Sequence, residues 1–473
     1  MIHKTRIFTA FIIIGSLFLF SGCFKKVSPN YKVDLEIWGL FDDSEVYDAI
    51  GGKYLALNPH VGEIKYRKFV QDTYKKDLLD ALASGQGPDI FLINNNWVPS
   101  FQDKVEPSPE WIFTEQEVKN DFVDVVSNDF LVDKKLYGIP LSVDSLALYY
   151  NKDIFNAAGI VAPPTTWEEF SKDVSLTTVV DNFGNIVKSG ASMGTAYNIN
   201  RSTDILALLM MQSGAQMVND TKSSVTFAKP TVVNGNTVNP GEKAMDFYTK
   251  FSNPSDRLLY SWNPRMHYSI DAFFEGTTAM MLNYSWQYSV IQAKNSKLNF
   301  GVAPVPQMTG GVTANYANYW GFAVAKNKIQ PNVDNDVRVH EAWQFLKFMT
   351  AKNDGKMKLI NAISLLQCLK AKQGNCIQGN DKDIAFNYDV AETYLTGTRK
   401  PSARRDIIEK QKTDVFLGPF ASGNLIAKNW YQMDPEAVEN ILAAAIDSVN
   451  KSTSNVYNAV KLAAERIEVT LKK

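Results

Sequence analysis

The sequence predicts an α/β protein with mixed, mostly parallel sheets that are covered by helices. Strand patterns at 33–38, 63–69 and 89–93 alternate with helical patterns at 44–57 and 73–84. This alternating order is typical of a parallel sheet, because each helix carries the chain back to the start of the next strand. With 473 residues, 45% of them hydrophobic and 21% charged, the chain is long enough for two or three domains.

Each of these early elements has its own signal. The first strand pattern alternates apolar and polar residues, and the third is a short apolar run that is typical of a buried strand. The helix at 44–57 is stopped by Pro59, and the helix at 73–84 is stopped by Gly85. Ligands of such sheets bind outside the carboxyl ends of the strands, so the loops that follow these strands are candidate binding loops.

The next segment contains two strand patterns, at 137–141 and 146–150, with a single carboxylate, Asp144, between them. A short helix that Asp153 can cap follows and ends at Gly159. The next helix begins at a capping box, formed either by Thr166 with Glu169 or by Thr165 with Glu168. Asn234-Gly235 predicts a hairpin further along the chain. The remaining predicted elements are a helix at 203–212, strands at 279–282, 300–306 and 320–325, and helices at 342–349, 435–449 and 456–467.

The N-terminus has the pattern of an export signal. Two basic residues precede an uncharged apolar stretch at 7–20, which is short for a membrane-spanning helix. Ser21-Gly22-Cys23 follows and resembles the lipobox of bacterial lipoproteins, which implies cleavage before Cys23 and acylation of that residue. We therefore expect a signal peptide at 1–22 and a lipidated tether at 23–31. An uncleaved anchor is the alternative, and either would hold the body of the chain outside the membrane.

Charge and cysteine usage limit the partners. The formal net charge of -1 gives no electrostatic reason for nucleic-acid binding, and we expect a monomer. In an oxidising compartment Cys368 and Cys376 are expected to form a disulfide that closes a small surface loop. Metal binding by these cysteines is the alternative, but the four histidines are scattered along the sequence, so we predict no metal site and no cofactor.

Several segments together resemble the extracellular solute-binding proteins of bacterial ABC importers, in particular the carbohydrate-binding group related to the maltose-binding protein. The matching segments are Ile37-Trp38-Gly39, Gly87-Pro88-Asp89-Ile90-Phe91, Leu136-Tyr137-Gly138-Ile139-Pro140, Tyr150-Asn151-Lys152-Asp153, Pro164-Thr165-Thr166-Trp167-Glu168-Glu169-Phe170, Phe274-Glu275-Gly276-Thr277-Thr278-Ala279-Met280, 300–306, Trp320-Gly321-Phe322 and Phe345-Leu346-Lys347-Phe348. No single segment is decisive, but their order over nearly all of the mature chain is specific.

The resemblance implies the two-lobed periplasmic-binding-protein fold of type II, in which strands cross between the lobes and the ligand lies in the cleft. It implies crossings near 142–144 and 278–284, with a third after Ala325. One lobe would hold 32–142 with 280–326, and the other 143–279 with 327–473. The closed form would dock on the permease subunits of an ABC transporter.

A sugar site needs polar side chains for the hydroxyl groups and flat aromatic walls for the C–H faces. Asp144 matches the acidic residue that contacts sugar in the maltose-binding relative; a hinge carboxylate that caps local backbone is the alternative. The other candidates lie near predicted strand ends or in the second lobe: Asp42, Asp43, Asn95, Trp97, Trp262, Tyr284, Trp286, Trp320 and Arg404, or Arg405 in its place. Helix capping, a turn, core packing and surface exposure are their structural alternatives.

The sequence contains no Gly-x-Ser-x-Gly elbow, no phosphate-binding loop and no histidine cluster. We therefore predict a binding protein and not an enzyme. A glycosidase pair of carboxylates remains open by composition. Two further alternatives keep the fold. The ligand could be a polyamine, a peptide or an anion, or the protein could report its ligand to a sensor. The predicted location is the outer face of the cytoplasmic membrane, in a periplasm or on the cell surface.

Overall fold

The computed structural model describes residues 31–331, 333–352, 356–371, 376 and 381–472. The expected signal peptide, Cys23 and all of the tether but Tyr31 lie outside the described residues. Among the residues that are described, no helix is both long and apolar enough to cross a membrane.

The first sheet has four strands, in the order Trp320–Val324, Ile90–Asn94, Val33–Gly39 and Val61–Lys68. Val33–Gly39 pairs in parallel with both of its neighbours, and Trp320–Val324 runs antiparallel to Ile90–Asn94. The helices Ser44–Leu57 and Gln71–Ser84 connect the three parallel strands. The predicted early order of strands and helices is therefore the order that the structure contains.

The second sheet has five strands, in the order Phe300–Pro304, Ala147–Asn151, Thr278–Asn283, Ile186–Ala191 and Val179–Val180. Ala147–Asn151 is antiparallel to both neighbours, whereas Thr278–Asn283 runs parallel to Ile186–Ala191. Every residue of Thr278–Asn283 is buried, because one face packs in the main core of this lobe and the other against a smaller cluster around Tyr149 and Phe420.

The remaining elements are short strands and the helices that cover the sheets. The short strands are Leu131–Val132, Lys135–Leu136, Thr231–Val233, Asn236–Val238, Asn315–Tyr316, Lys356–Ile360, Asp381–Ala385 and Ala427–Lys428. The other helices are Val98–Phe101, which follows a 3-10 turn at Asn95–Trp97, then Glu115–Asp121, Asp124–Phe130, Lys152–Ala157, Trp167–Thr177, Ser202–Gln212, Pro240–Lys250, Ser269–Phe274, Gln287–Lys294, Asn335–Thr350, Ala362–Lys370, Val390–Thr398, Arg405–Gln411, Leu417–Asn424, Pro435–Asn450 and Val456–Thr470.

Two local predictions can be checked against these elements. The capping box is formed by Thr166 and Glu169, at the start of Trp167–Thr177. The Asn234-Gly235 hairpin connects Thr231–Val233 to Asn236–Val238, and both turn residues have positive φ.

Two separate apolar cores define the lobes. The first lobe surrounds the sheet that contains Val33–Gly39, and the second lobe surrounds the sheet that contains Ala147–Asn151. Three chain segments lie side by side where the lobes meet. Backbone hydrogen bonds run from Asn318 N to Asp144 O and from Ala317 N to Lys428 O, both 3.0 Å long. Short hydrogen-bonded crossings of this kind suit a hinge between the lobes.

The positions of the later crossings differ from the prediction. Thr278–Asn283 and Phe300–Pro304 lie in the second sheet, and the second crossing comes at 315–320. After Ala325 the core residues that the structure describes up to Ile408, such as Phe345, lie in the core of the first lobe. The assignments of 280–314 to the first lobe and of 327–408 to the second are therefore wrong. The local sequence of an apolar strand does not reveal which sheet the strand joins, because its pairing partners lie far away in the chain.

Two features tie peripheral parts of the first lobe to its body. Tyr31 Oη donates a 2.6 Å hydrogen bond to Glu341 Oε1, and its ring stacks on His60 at 4.7 Å between centroids. Asn58 Nδ2 donates to the other oxygen of Glu341 at 2.8 Å. A disulfide joins Cys368 to Cys376, the pairing expected from the sequence, with Cα atoms 5.5 Å apart.

Candidate ligand-binding site

A cleft between the lobes contains two adjoining chambers. The larger chamber has a volume of about 560 Å³ and is bordered by Asp144 and Tyr284, among others. The smaller chamber has a volume of about 280 Å³ and is bordered by Trp97 and Glu439. Residues of both lobes line each chamber. Four residues border both chambers: Gln71, Arg201, Asn318 and Trp320.

The sheets explain why these residues meet. Val33–Gly39 leads into Phe41 and Asp42, whereas Thr278–Asn283 leads into Tyr284 and its neighbours. Each group follows the carboxyl end of a strand, and the two ends face each other across the hinge. The loops therefore lie where ligands bind in open α/β sheets.

Asp144 lies in the first crossing and borders the larger chamber. The Ser285 backbone N–H lies 3.1 Å from each carboxylate oxygen, and the Ser285 hydroxyl donates to Oδ2 at 2.8 Å. Burial raises the pKa of Asp144 to about 7, although the hydrogen bonds from Ser285 and the charge of Arg201 act in the opposite direction. Near neutral pH the carboxyl group can therefore either donate or accept a hydrogen bond.

Asp42 and Asp43 are adjacent in sequence but lie in different environments. Asp42 is buried at the edge of the larger chamber, where it accepts from Lys400 Nζ at 2.5 Å and from Tyr394 Oη at 2.6 Å. The Asp43 side chain is 82% exposed and pairs with Lys68 on the surface at 2.8 Å. One of these two residues was expected to face the cleft, and Asp42 is the one that borders the larger chamber.

Aromatic side chains form walls on both lobes. Trp320 contacts Trp97 edge to face at 5.0 Å and Phe41 at 5.6 Å between ring centroids. Across the larger chamber, Trp286 of the second lobe is 45% exposed, and Phe41 of the first lobe is 46% exposed. Flat, partly exposed rings of this kind can cover the C–H face of a ligand.

The structure places four other candidates away from the two chambers. Trp262 is fully buried in the second core, and Arg404 is buried in the first lobe, where it pairs with Asp389 at 2.8 Å. Arg405 pairs with Asp124 at 2.5 Å, also away from the chambers. Asn95 is buried and donates to Asp129 at 2.9 Å, beside a further cavity between the lobes that shares Asn96, Trp430 and Gln432 with the smaller chamber. Trp262 and Arg404 therefore border neither chamber, whereas ligand contact by Asn95 stays a prediction. Each side chain is occupied by core packing or by a partner within the protein.

Sequence reasoning missed the residues around Tyr284. Tyr284 Oη donates to Asp204 Oδ2 at 2.8 Å, and the guanidinium of Arg201 lies 5.5 Å from the centre of the Tyr284 ring. Burial raises the pKa of Asp204, while the charge of Arg201 lowers it. The signal available in the sequence was two charged residues at the start of a predicted helix, which is also typical of ordinary helix capping. Gln71 and Asn318 carried no signal that distinguishes them from surface residues.

The arrangement suits the binding of a polar, uncharged molecule with apolar faces. Carboxyl, guanidinium and amide groups lie beside partly exposed rings within one cleft. Among the described residues, no group of three or more histidine, cysteine, aspartate or glutamate side chains could hold a metal ion.

Known proteins resemble this chain in sequence and in fold. A family model described as bacterial extracellular solute-binding protein matches residues 57–356. A putative binding protein of Brucella abortus is 22% identical over 354 residues, which is 72% of this chain and 76% of the relative. The maltotriose-binding protein of Pyrococcus abyssi is 23% identical over 357 residues, which is 75% of this chain and 70% of the relative.

The crystal structure of the cyclic α-maltosyl-1,6-maltose binding protein from Arthrobacter globiformis superimposes with a TM-score of 0.68. The match covers 93% of this chain and 99% of that protein at 18% identity, so it shows a shared fold. The predicted two-lobed fold is confirmed. The family match spans more than half of the sequence and agrees with the order of segments noted above. The chain belongs to the bacterial extracellular solute-binding protein family.

Proposed function

We propose that this protein captures a carbohydrate in the cleft between its lobes and delivers it to the permease of an ABC importer. The observation that carries the proposal is the larger chamber, where Asp144 and Arg201 lie beside the exposed faces of Phe41 and Trp286. Carboxyl and guanidinium groups bind sugar hydroxyls, and aromatic faces cover sugar C–H groups.

The named specificities of similar proteins support a carbohydrate over other solutes. The relative from Pyrococcus abyssi is described as binding maltotriose, and the structure from Arthrobacter globiformis as binding cyclic α-maltosyl-1,6-maltose. Both ligands are oligosaccharides. We therefore assign a carbohydrate to this cleft, with Asp144, Asp42, Tyr284, Trp286, Trp320 and Trp97 as the predicted contacts.

Capture and release would use the hinge. Asp144 and Asn318 lie in neighbouring crossings, so rotation about these segments brings Phe41 of the first lobe towards Trp286 of the second. A ligand that contacts both lobes favours the closed form through its higher affinity for that form. Delivery follows when a permease binds the closed form and opens it again, and the ligand leaves chemically unchanged.

The proposed location follows from the N-terminal pattern. Cleavage before Cys23 and acylation of that residue would hold the protein at the outer face of the cytoplasmic membrane. Mass spectrometry of the purified membrane-bound protein tests this proposal. We expect an acylated Cys23 as the first residue, and an intact signal segment would contradict it.

A thermal-shift screen across monosaccharides and oligosaccharides tests the proposed ligand class. A sugar that binds only the folded protein raises the melting temperature, with a stabilisation of about 2.7 kcal/mol at a concentration of 100 Kd. We expect at least one sugar to do this. If all sugars fail while a polyamine, a peptide or an anion produces a shift, the carbohydrate assignment is wrong.

The sugars that bind then test for the absence of turnover. Prolonged incubation followed by chromatography should return each sugar unaltered. The appearance of shorter products with the purified protein, but not with its Asp144→Ala variant, would instead identify a glycoside-active enzyme.

A further inference from the structure

Two consecutive residues at one edge of the larger chamber reach towards different lobes. Arg399 and Lys400 follow the helix Val390–Thr398, which packs in the core of the first lobe, and both border the larger chamber. Lys400 Nζ donates to Asp42 of the same lobe at 2.5 Å. The guanidinium of Arg399 instead lies over aromatic rings of the second lobe.

The rings that face Arg399 belong to the packed interior of the second lobe. The guanidinium carbon lies 5.5 Å from the centre of the Tyr288 ring and 5.6 Å from the centre of the Phe416 ring. These two rings lie 4.0 Å apart, and Tyr288 also contacts Phe300 of the second sheet at 5.3 Å. A cation is attracted by the negative faces of aromatic rings, so this contact joins the two lobes.

The backbone of Arg399 is strained. Its φ of 51° and ψ of 45° are left-handed, and its N–H donates to Leu395 O at the end of the helix. Glycine is the usual residue at such a helix end, because a side chain is unfavourable in this conformation. Arg201, which borders the same chamber from the second lobe, shares it with a φ of 64°. Strained residues collect at functional sites, where another requirement holds the side chain in place.

We infer that Arg399 is an interlobe latch, which stabilises the closed cleft through its contact with Tyr288 and Phe416. Rotation about the hinge that opens the cleft moves the guanidinium away from the rings, whereas closure restores the contact. Arg399 is therefore a positioning residue that favours the closed form without touching the ligand. The inference rests on the hinge motion of the proposed function and adds to it a contact that acts before any sugar binds.

Single-molecule energy transfer between two dyes tests the latch without a ligand. The helices Gln71–Ser84 and Pro435–Asn450 border the smaller chamber from opposite lobes, so dyes on Lys76→Cys and Asn440→Cys report the opening of the cleft. Both positions are exposed. In Arg399→Gln we expect the ratio of closed to open molecules to fall about two- to fivefold, the loss of one exposed cation–π contact.

Three further variants separate the latch from general effects of substitution. Arg399→Lys keeps a cation and should retain part of the closed population. Tyr288→Leu should also reduce it, and the double variant with Arg399→Gln should lose less than the sum of the two single effects. The matched control is Lys53→Gln. Lys53 Nζ lies 4.1 Å from the centre of the Tyr388 ring, but both residues belong to the first lobe, so the ratio should not change.

Sugar release provides the second readout. For each sugar that raises the melting temperature, Arg399→Gln should release it faster by a similar factor of about two to five, because opening of the closed form has become easier. An unchanged closed population in Arg399→Gln, or an equal shift in Lys53→Gln, would overturn the inference. A loss of affinity without a change in population would make Arg399 a ligand contact and also overturn it. If no sugar binds but the population shifts as expected, the proposed function fails and the latch stands.

Discussion

Arginine side chains are used differently in the core of the first lobe and at the cleft. In the core, Arg404 pairs with Asp389 at 2.8 Å and with Asp406 at 2.6 Å, and Arg338 contacts Asp89 at 3.4 Å. At the cleft, the buried Nε of Arg201 has no hydrogen-bond partner among the described residues, and the guanidinium of Arg399 lies 5.5 Å from the centre of the Tyr288 ring. A buried charge with a full set of partners serves the fold. Arg201, with an oppositely charged neighbour in Asp204, instead borders both chambers of the cleft.

The largest expected effect is the loss of folding stability when the buried ion pairs of Arg404 are broken. Arg404→Ala leaves the buried carboxylate of Asp389 without its cation, which should destabilise the protein by about 3–5 kcal/mol in denaturant unfolding. Sugar affinity measured on the folded fraction should not change. The control is Arg405→Ala, which removes an exposed pair with Asp124 and should cost less than about 1 kcal/mol. A large loss of sugar affinity in Arg404→Ala would show that this residue contributes to ligand binding.

Replacing Asp144, in contrast to Arg404, should weaken sugar binding. Its replacement by alanine removes a hydrogen-bonding group from the larger chamber and leaves the N–H and hydroxyl of Ser285 unsatisfied. We expect sugar binding to weaken by roughly 1–3 kcal/mol in calorimetry. Unchanged affinity in a folded variant would show that this carboxyl serves the hinge alone.

Buried carboxyl groups whose pKa is raised should also give the protein a pH-dependent stability. Burial raises the pKa of Asp144 to about 7, so the folded protein keeps this proton at pH values where the unfolded chain has lost it. Stability therefore falls as the pH rises from about 4, the ordinary value for an aspartate, to about 7, and the effect levels off above this range.

Urea unfolding across this pH range, compared with Asp144→Asn, isolates the contribution of Asp144. The variant should have a shallower decline, by at most one proton or ~1.4 kcal/mol per pH unit. Burial also raises the pKa of Asp129 to about 6 and that of Glu341 to about 7, so a residual slope of the same sign should remain in the variant. Identical slopes would contradict the assignment to Asp144.

The smallest effect is expected for Asp43. Its carboxylate pairs with Lys68 in full contact with water, where ion pairs contribute little. Asp43→Ala should leave both the midpoint of urea unfolding and the sugar affinity within experimental error. A clear loss of affinity would mean that the closed form draws this surface residue into the cleft.

The sequence predicted the parts of the fold that depend on local patterns. The alternation at 33–38, the stop at Gly85 and the capping box of Thr166 all depend on residues close together in the chain. The lobe assignment of Thr278–Asn283 depends on Ala147–Asn151, more than a hundred residues earlier, and no local pattern encodes that pairing. The two-lobed fold was therefore available only through resemblance, and the resemblance still assigned most of this strand to the other lobe.

The same limit explains the uneven prediction of the site. Asp144 lies alone between two strand patterns, so its place at a crossing could be expected. Arg404 and Arg201 look alike in sequence, and only the folded chain shows that Arg404 is paired in the core whereas Arg201 borders both chambers. The strain at Arg201 was also hidden, because glycine is the residue that normally signals a left-handed backbone.

The attachment of Tyr31 determines where mechanical load enters the molecule. Tyr31 follows the predicted tether and is held by Glu341 and by the ring of His60, both in the first lobe. A pull on the preceding residues is therefore borne by the first-lobe core, and none of it passes through the three crossings. The second lobe can rotate about the hinge while the first lobe stays attached to the tether. Motion of a tether at this end should therefore neither open nor close the cleft.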